Sequence, residues 1–314
     1  MKNKILAIIG ALGTLVLIGA GCASTPVAPS ASHESEPSAH ESSEGSEETE
    51  QAVGNHGDAG GHIARLAGSR IDLANRNSFK PGEVTFSFKL YGLDGHVFGP
   101  DDLKIAHEKR MHFLLVRDDM TGFQHIHPEY LNNQWTVKTN IKEAGQYELY
   151  VDIAPEEEKP VVLRVPVTIG GPTATKNFPT PNIDQSAEEK PYTATLVTGG
   201  IIKTNEHTKL AFTLRKNGQS VTDVGPYLGA YGHAVLIRHT DPDDFFHVHP
   251  LTETKPANGV VEFEAEFPTK GRYTIYAQFS LSGGVRTFPI TVDVNEEGQD
   301  TVVHEKCTGA HCAE

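Results

Sequence analysis

Residues 111–129 read MHFLLVRDDMTGFQHIHPE, and residues 232–250 read GHAVLIRHTDPDDFFHVHP. They are two copies of one phrase. Each has a histidine at the head of an apolar run, then an arginine, a turn, and Phe-x-His-x-His-Pro. Of the seven histidines in these phrases, out of 16 in the chain, six stand in matching positions: His112, His125 and His127 in the first, His233, His247 and His249 in the second. Imidazole is the commonest protein ligand for transition metals. Two triplets in matching positions therefore make a candidate metal site built twice.

Strand parity tests whether each triplet can converge. His125 and His127 are two apart, so on a strand they share a face, with Cα atoms ~7 Å apart. Pro128 cannot donate to a ladder, so the strand ends there, near a rim. The third ligand depends on hairpin register. A four-residue loop from Asp118 to Thr121 pairs Arg117 with Gly122 and sets His112 opposite His127. A slip of one residue would turn His112 to the other face. The second phrase is one residue longer: His233 to His249 spans 16 positions, against 15 from His112 to His127. A five-residue loop from His239 to Asp243 again sets His233 opposite His249. In this register Leu114, Val116 and Phe123 share the first histidine face, and Val235, Ile237 and Phe245 the second. The expectation is a site at the end of an apolar core face. His107, Glu129, Asp152, Gln278 and Arg238 are candidates for groups behind the ligands. Arg117 and Arg238 are expected as solvated strand-end charges, and PYLGAY (226–231) as a packed loop.

Around the phrases lie short β-rich runs broken by Gly, Pro, Asn and Asp. EVTFSFKLY (83–91) alternates with period two, and QWTVKTNI, QYELYVDI and PVVLRVPVTI follow. After a Pro-rich stretch a second set begins with HTKLAFTLR and ends with VRTFPITVDV. GQYELYVDI (145–153) aligns with GRYTIYAQF (271–279), including the Gly-x-Tyr that suits a tyrosine-corner hydrogen bond. No long amphipathic helix is present. The fold class expected is all-β: two tandem antiparallel β-sandwich modules, immunoglobulin-like or cupredoxin-like, of about 100 residues each. The boundaries read as module one at 75–170, a linker at 171–191, module two at 192–295, and a flexible tail at 296–314.

The N-terminal part is of another kind. Lys2 and Lys4 precede the apolar run Ile5–Gly21, as in a secretory signal. Ile18-Gly19-Ala20-Gly21-Cys22 resembles a bacterial lipobox, with Gly19 where a bulky aliphatic is usual. The resemblance implies cleavage after residue 21 and lipid attachment at Cys22, hence a lipid-anchored, extracytoplasmic protein of the bacterial cell envelope. Residues 22–74 then read as an acidic tether. No Lys or Arg occurs from 23 to 64, while seven Glu lie between Glu34 and Glu50. Such a stretch buries too little apolar surface to offset its ordering entropy. His33, His40, His56 and His62 in it could hold ions only loosely. The formal charge of −14 argues against a nucleic-acid partner.

Cys307 and Cys312 are the remaining cysteines, so disulfides do not hold the modules together. With His304 and His311 they form H-x2-C-x3-H-C, a ligand set suited to Zn2+ or Cu(I). A metal-capturing tail and a simple disulfide remain open readings.

From Lys80 to Val294, the repeated His…Arg, Phe-x-His-x-His-Pro and Gly-x-Tyr pattern resembles bacterial exported or lipid-anchored tandem β-sandwich proteins associated with heavy-metal and copper handling. The resemblance implies a copper or zinc ion as ligand, and a metal transporter or metallochaperone as partner. Gly122-Phe123-Gln124-His125-Ile126-His127 is also similar to the Gly-Phe-His-x-His strand of copper/zinc superoxide dismutase. It carries an extra Gln and no matching zinc loop, so that activity is not implied. Neither module has the cysteine that a blue-copper site needs. Cupins place a Glu several residues beyond their His-x-His, and Glu129 is too close. The leading expectation is a non-catalytic metal-binding lipoprotein. An adhesion or scaffold lipoprotein with structural histidines is the alternative, and a metalloenzyme with a three-histidine site the second.

Overall fold

The computed structural model describes residues 69–296, except 75, 77, 78, 173, 183, 252 and 253. The signal segment, Cys22, the acidic tether up to residue 68, and the tail residues His304, Cys307, His311 and Cys312 lie outside the described residues.

The chain is all-β, as its period-two runs require. In the first module one sheet has the strands Arg70–Leu73, Gly82–Tyr91, Gln134–Ile141 and Glu129–Leu131 in that spatial order. The facing sheet runs Gln124–Ile126, Met111–Arg117, Gly145–Ile153, Val161–Ile169. The second module repeats the plan. His207–Lys216 is flanked by Tyr192–Val197 and Val260–Glu266 in one sheet. His233–Arg238 lies between Phe245–Val248 and Gly271–Leu281 in the other, with Gly284–Asn295 beyond. These principal pairings are antiparallel.

Both modules start earlier than their composition suggests. Arg70–Leu73 pairs with Gly82–Tyr91, ahead of residue 75. Ser186–Glu189 pairs with Tyr192–Val197, inside the stretch read as linker. Arg70–Leu73 alternates with period two but over only four residues. Ser186–Glu189 has no apolar alternation, so its strand state comes from docking at a sheet edge. The linker also packs back on the first module: Asn177 N–H donates to Asp119, and Lys176 pairs with Asp118.

The strands that carry the histidines are apolar on both faces, and each face has a different partner. Phe113 and Leu115 enter the first module's sandwich core with Phe86, Phe88 and Leu149. Ala234 and Leu236 enter the second module's core with Phe212, Phe263 and Ile275. The alternate residues do something else. Leu114, Val116 and Tyr150 of the first module join Val235, Ile237, Phe245 and Tyr276 of the second in a third apolar cluster. The histidine face is therefore a seam between two sandwiches, which corrects the expectation that it lines a sandwich core. A strand covered on both sides reads as an unbroken apolar run, and both phrases contain one.

Around the seam, equivalent contacts are exchanged. Tyr276 stacks on Phe123 with centroids 4.1 Å apart and donates its hydroxyl to Met120 O at 2.7 Å. Tyr150 stacks on Phe245 at 4.5 Å and donates to Pro242 O at 2.9 Å. Each tyrosine thus anchors the hairpin loop of the other module. The Gly-x-Tyr residues do form corners: Tyr147 and Tyr273 donate to the carbonyls of Glu143 and Thr269, four residues upstream. Gly145, at φ 153°, leaves room for Arg117, whose Cδ lies 3.1 Å from where a Cβ would stand.

Arg117 is buried rather than solvated, correcting the expectation for it. It is 4% exposed, pairs with the fully buried Asp119 and also reaches Glu143. Arg238 is partly covered and pairs with Asp244 and Asp241. A guanidinium can lie under a loop when a carboxylate meets its planar fork.

Candidate metal centre

The two hairpins hold the register that sets each leading histidine opposite the last. Leu114 pairs with His125 and Phe113 with Ile126, so the ladder runs on to His112 opposite His127. Val235 pairs with His247 and Ala234 with Val248, so it runs on to His233 opposite His249. One ring nitrogen from each of His112, His125 and His127 lies within 4.8 Å of the other two, and the same holds for His233, His247 and His249.

Hydrogen bonds at the outer nitrogens fix which nitrogen faces inward. A carbonyl or carboxylate oxygen accepts only, so the ring nitrogen against it carries the proton. His112 Nε2 donates to Ala106 O at 3.2 Å, and His233 Nε2 donates to Tyr227 O at 2.9 Å. His125 Nδ1 is hydrogen-bonded to the Gln278 side-chain amide at 2.7 Å, and that amide also bonds Thr287 Oγ1. A hydroxyl both donates and accepts, so this pair leaves either tautomer open to His125. His247 Nδ1 donates to Asp152 Oδ2 at 3.0 Å. The inner nitrogens of His112, His233 and His247 then carry lone pairs in the neutral rings.

In the first triplet His112 Nδ1 and His125 Nε2 are hydrogen-bonded to each other at 3.0 Å. The nitrogens His127 Nε2, His233 Nδ1, His247 Nε2 and His249 Nε2 are buried without a hydrogen-bond partner. An orphaned buried acceptor costs about 1–3 kcal/mol, and the cluster repeats that cost. Protonation does not relieve it at neutral pH. Burial, with neighbouring imidazoles adding to it, holds His112 down to about 4, His127 to about 3, and His233 and His249 to about 2. Burial likewise lowers His125 and His247. A cation would accept all the inward lone pairs. Two nitrogens bound tetrahedrally at about 2.0–2.1 Å stand about 3.3 Å apart, close to the separation of His112 and His125.

The local backbone explains the outer holds. Ala106 and Lys109 exchange backbone hydrogen bonds around His107 and Glu108, and Tyr227 and Ala230 do so around Leu228 and Gly229. All four central residues have positive φ: 50°, 62°, 55° and 76° in chain order. These are turns of the type I′ kind, and each presents its first carbonyl to the leading histidine of its module. PYLGAY thus forms a packed turn, and the Tyr227 ring stands 5.4 Å from His233 and 6.4 Å from His125.

Of the groups expected behind the ligands, Asp152 and Gln278 take that place, while Glu129 lines the groove outside the first triplet. Arg238 is turned to its loop carboxylates. His107 belongs to the first module yet stacks on His249 of the second, with centroids 3.6 Å apart and planes 22° apart. It lies outside both phrases, and no spacing in the sequence ties it to them.

No curated protein matches the chain. Solved structures with a resemblance include the Escherichia coli adhesin FdeC, at 14% identity and a TM-score of 0.24, over 76% of this chain and 66% of that one. The tetra-tandem repeat of a large adhesion protein's extending region matches at 10% and 0.24, over 72% and 49%. InvD of Yersinia pseudotuberculosis matches at 11% and 0.24, over 74% and 59%. The chain thus covers less than two thirds of these structures, and overlaps so slight carry no role across. A family model described as a domain of unknown function (DUF8832) matches residues 64–170 and again 186–296, one copy on each sandwich. The chain belongs to that family and carries its domain twice, with both histidine triplets at the seam between the copies.

Proposed function

We propose that this protein binds transition-metal ions through its imidazole triplets and buffers, sequesters or delivers them in the bacterial cell envelope, as a lipid-anchored, non-catalytic protein. Copper is the first candidate and zinc the second. The donor set is neutral nitrogen with no thiolate in either triplet, and Cu2+ outranks Zn2+ on such ligands. The observation that carries the reading is the inward lone pairs. His127 Nε2, His233 Nδ1, His247 Nε2 and His249 Nε2 are buried with no hydrogen-bond partner, and His233 and His247 have their outer proton placed by an oxygen.

The alternative is an adhesion or scaffold lipoprotein with structural histidines, and the hydrogen bonds at both ring nitrogens of His112 and of His125 favour it. The buried, partnerless nitrogens of the other four rings favour metal. A hydrolytic role calls for a free acid or base beside the open coordination position. Asp152, behind the rings, is engaged by His247, whereas Glu129 lines the groove outside the first triplet and is the group such a role would use. The compartment and the lipid anchor rest on the signal and Cys22. A transporter or metallochaperone that receives the ion follows from delivery rather than from any surface of the chain.

Titration calorimetry of the purified protein with Cu2+ and with Zn2+ tests the reading. Binding tighter than millimolar is expected. It should fall at one site in His125→Ala/His127→Ala and at the other in His247→Ala/His249→Ala. Absence of such binding, or binding unchanged by both pairs of substitutions, removes the proposal.

A further inference from the structure

The two triplets are not separate in space. The rings of His112 and His247 lie 5.1 Å apart, those of His125 and His247 5.3 Å, and those of His125 and His233 6.4 Å. Spacings within a triplet are similar: 5.2 Å from His112 to His125 and 5.6 Å from His233 to His247. The outer holds are also exchanged. Gln278 is paired with His233 across its own sheet, yet its side chain is hydrogen-bonded to His125 Nδ1 in the first module. Asp152 is paired with His112 across its own sheet, yet it receives the proton of His247 in the second. These two residues occupy equivalent positions in the aligned strands Gly145–Ile153 and Gly271–Leu281.

We propose that the two triplets form one binuclear centre, holding two metal ions near enough to interact, in which Asp152 and Gln278 are crossed positioning residues. Each residue sets the affinity of the triplet in the other module. The inference rests on the metal-binding reading above and adds the coupling. Its chemistry follows from the donors. Six neutral imidazoles and one carboxylate offset little of two divalent charges in a low-dielectric seam. The second divalent ion therefore binds more weakly than the first. Asp152 makes His247 the better donor, because a carboxylate behind an imidazole raises its basicity more than an amide does. The second module's triplet fills first.

Copper titration followed by electron paramagnetic resonance tests this on the full chain. Ions taken up by the tail and tether are identified as the signal that persists when both triplets are substituted. The first equivalent at the triplets should give an isolated Cu(II) signal. The second should broaden it or reduce its intensity through coupling. His125→Ala/His127→Ala should keep the isolated signal up to saturation. Asp152→Asn should lower affinity ~10–100-fold where only the second triplet is intact, and leave the first triplet's affinity unchanged where only that one is intact. Gln278→Ala should do the reverse, with a smaller loss. Two ions with simply additive, uncoupled spectra would overturn the binuclear centre while leaving metal binding in place. So would an Asp152→Asn effect confined to the first triplet or equal at both. Binding at only one triplet would overturn the binuclear centre and leave metal binding in place, and no binding at both triplets removes the two inferences together.

Discussion

The two modules use one scaffold to build unequal halves of a site. In the first, the triplet borders a groove lined by Lys109, His125, His127, Glu129 and Lys138. In the second, His233 is fully buried and His107 lies flat against His249. The residue equivalent to His107 in the other turn is Leu228, and the residue equivalent to Asp152 is Gln278. Two exchanges on a repeated frame thus give one triplet an open approach and an amide behind it, and the other a cover and a carboxylate. The duplicated histidine triplets become inequivalent through the residues around them, while the histidines themselves stay the same.

The largest effect should come from the contacts that join the modules. Tyr276→Ala and Tyr150→Ala each remove a stacked, buried ring and a hydrogen bond to the opposite loop. Each should cost about 3–5 kcal/mol in denaturant unfolding, and the two losses should match. A loss well under 1 kcal/mol for either would break the equivalence of the two anchors.

The arginines give a narrower contrast. Asp119→Ala leaves the buried Arg117 charge without its main partner and should cost about 3 kcal/mol. Asp244→Ala, beside the less covered Arg238, should cost about 1 kcal/mol or less. The pH dependence has a definite sign. Burial pushes the Asp119 carboxyl up, but its bonds to Arg117, Thr121 and Asn177 outweigh that and hold it well below the carboxylate range. A depressed carboxylate contributes stability above its unfolded pKa of about 3.9, and that stability is lost as pH falls toward the folded value. Asp119→Ala should therefore flatten the acid limb of a stability–pH curve below about pH 4.

The histidines act in a higher window. Their folded pKa values lie below the unfolded value of about 6.5, so the unfolded chain binds more protons as pH falls. The metal-free protein should lose stability from about pH 6.5 downward, by up to about 1.4 kcal/mol per pH unit for each such histidine. Excess Zn2+ should remove most of that slope down to about pH 5. An acid profile of the metal-free protein that stays flat between about pH 7 and pH 5 would contradict neutral burial of the rings.

The smallest effect concerns the cover. His107→Leu removes the ring stacked on His249. It should speed the release of Zn2+ to a chelator from the second triplet a few-fold, with little change in unfolding. Equal release rates in both proteins would mean that the stacked ring is no barrier.

Much of this was legible in the chain. His125 and His127 share a face because strand side chains alternate, and His247 and His249 follow the same rule. The extra residue between Arg238 and Phe245 is absorbed by the loop, so both leading histidines keep their places. The double apolar character of MHFLLVR and HAVLIR says that both faces of each strand are covered. It does not say by what, and the simplest assumption, one core face per sandwich, misplaced Leu114, Val116 and Phe123. Arg117 misled in the same way, since a charge at a strand end is usually solvated and only the fold brings Asp119 beneath it.

Everything that could be read along the chain is local: parity, hairpin register, the ligand type, and a repeat on each of two sandwiches. Packing alone set the rest. It turned the repeats to face each other, carried Asp152 and Gln278 across the seam, and laid His107 over the opposite triplet. The physical reason is range. Alternation and loop length act over a few residues along the chain, whereas the seam joins surfaces far apart in sequence, whose fit depends on the shape of two finished sheets.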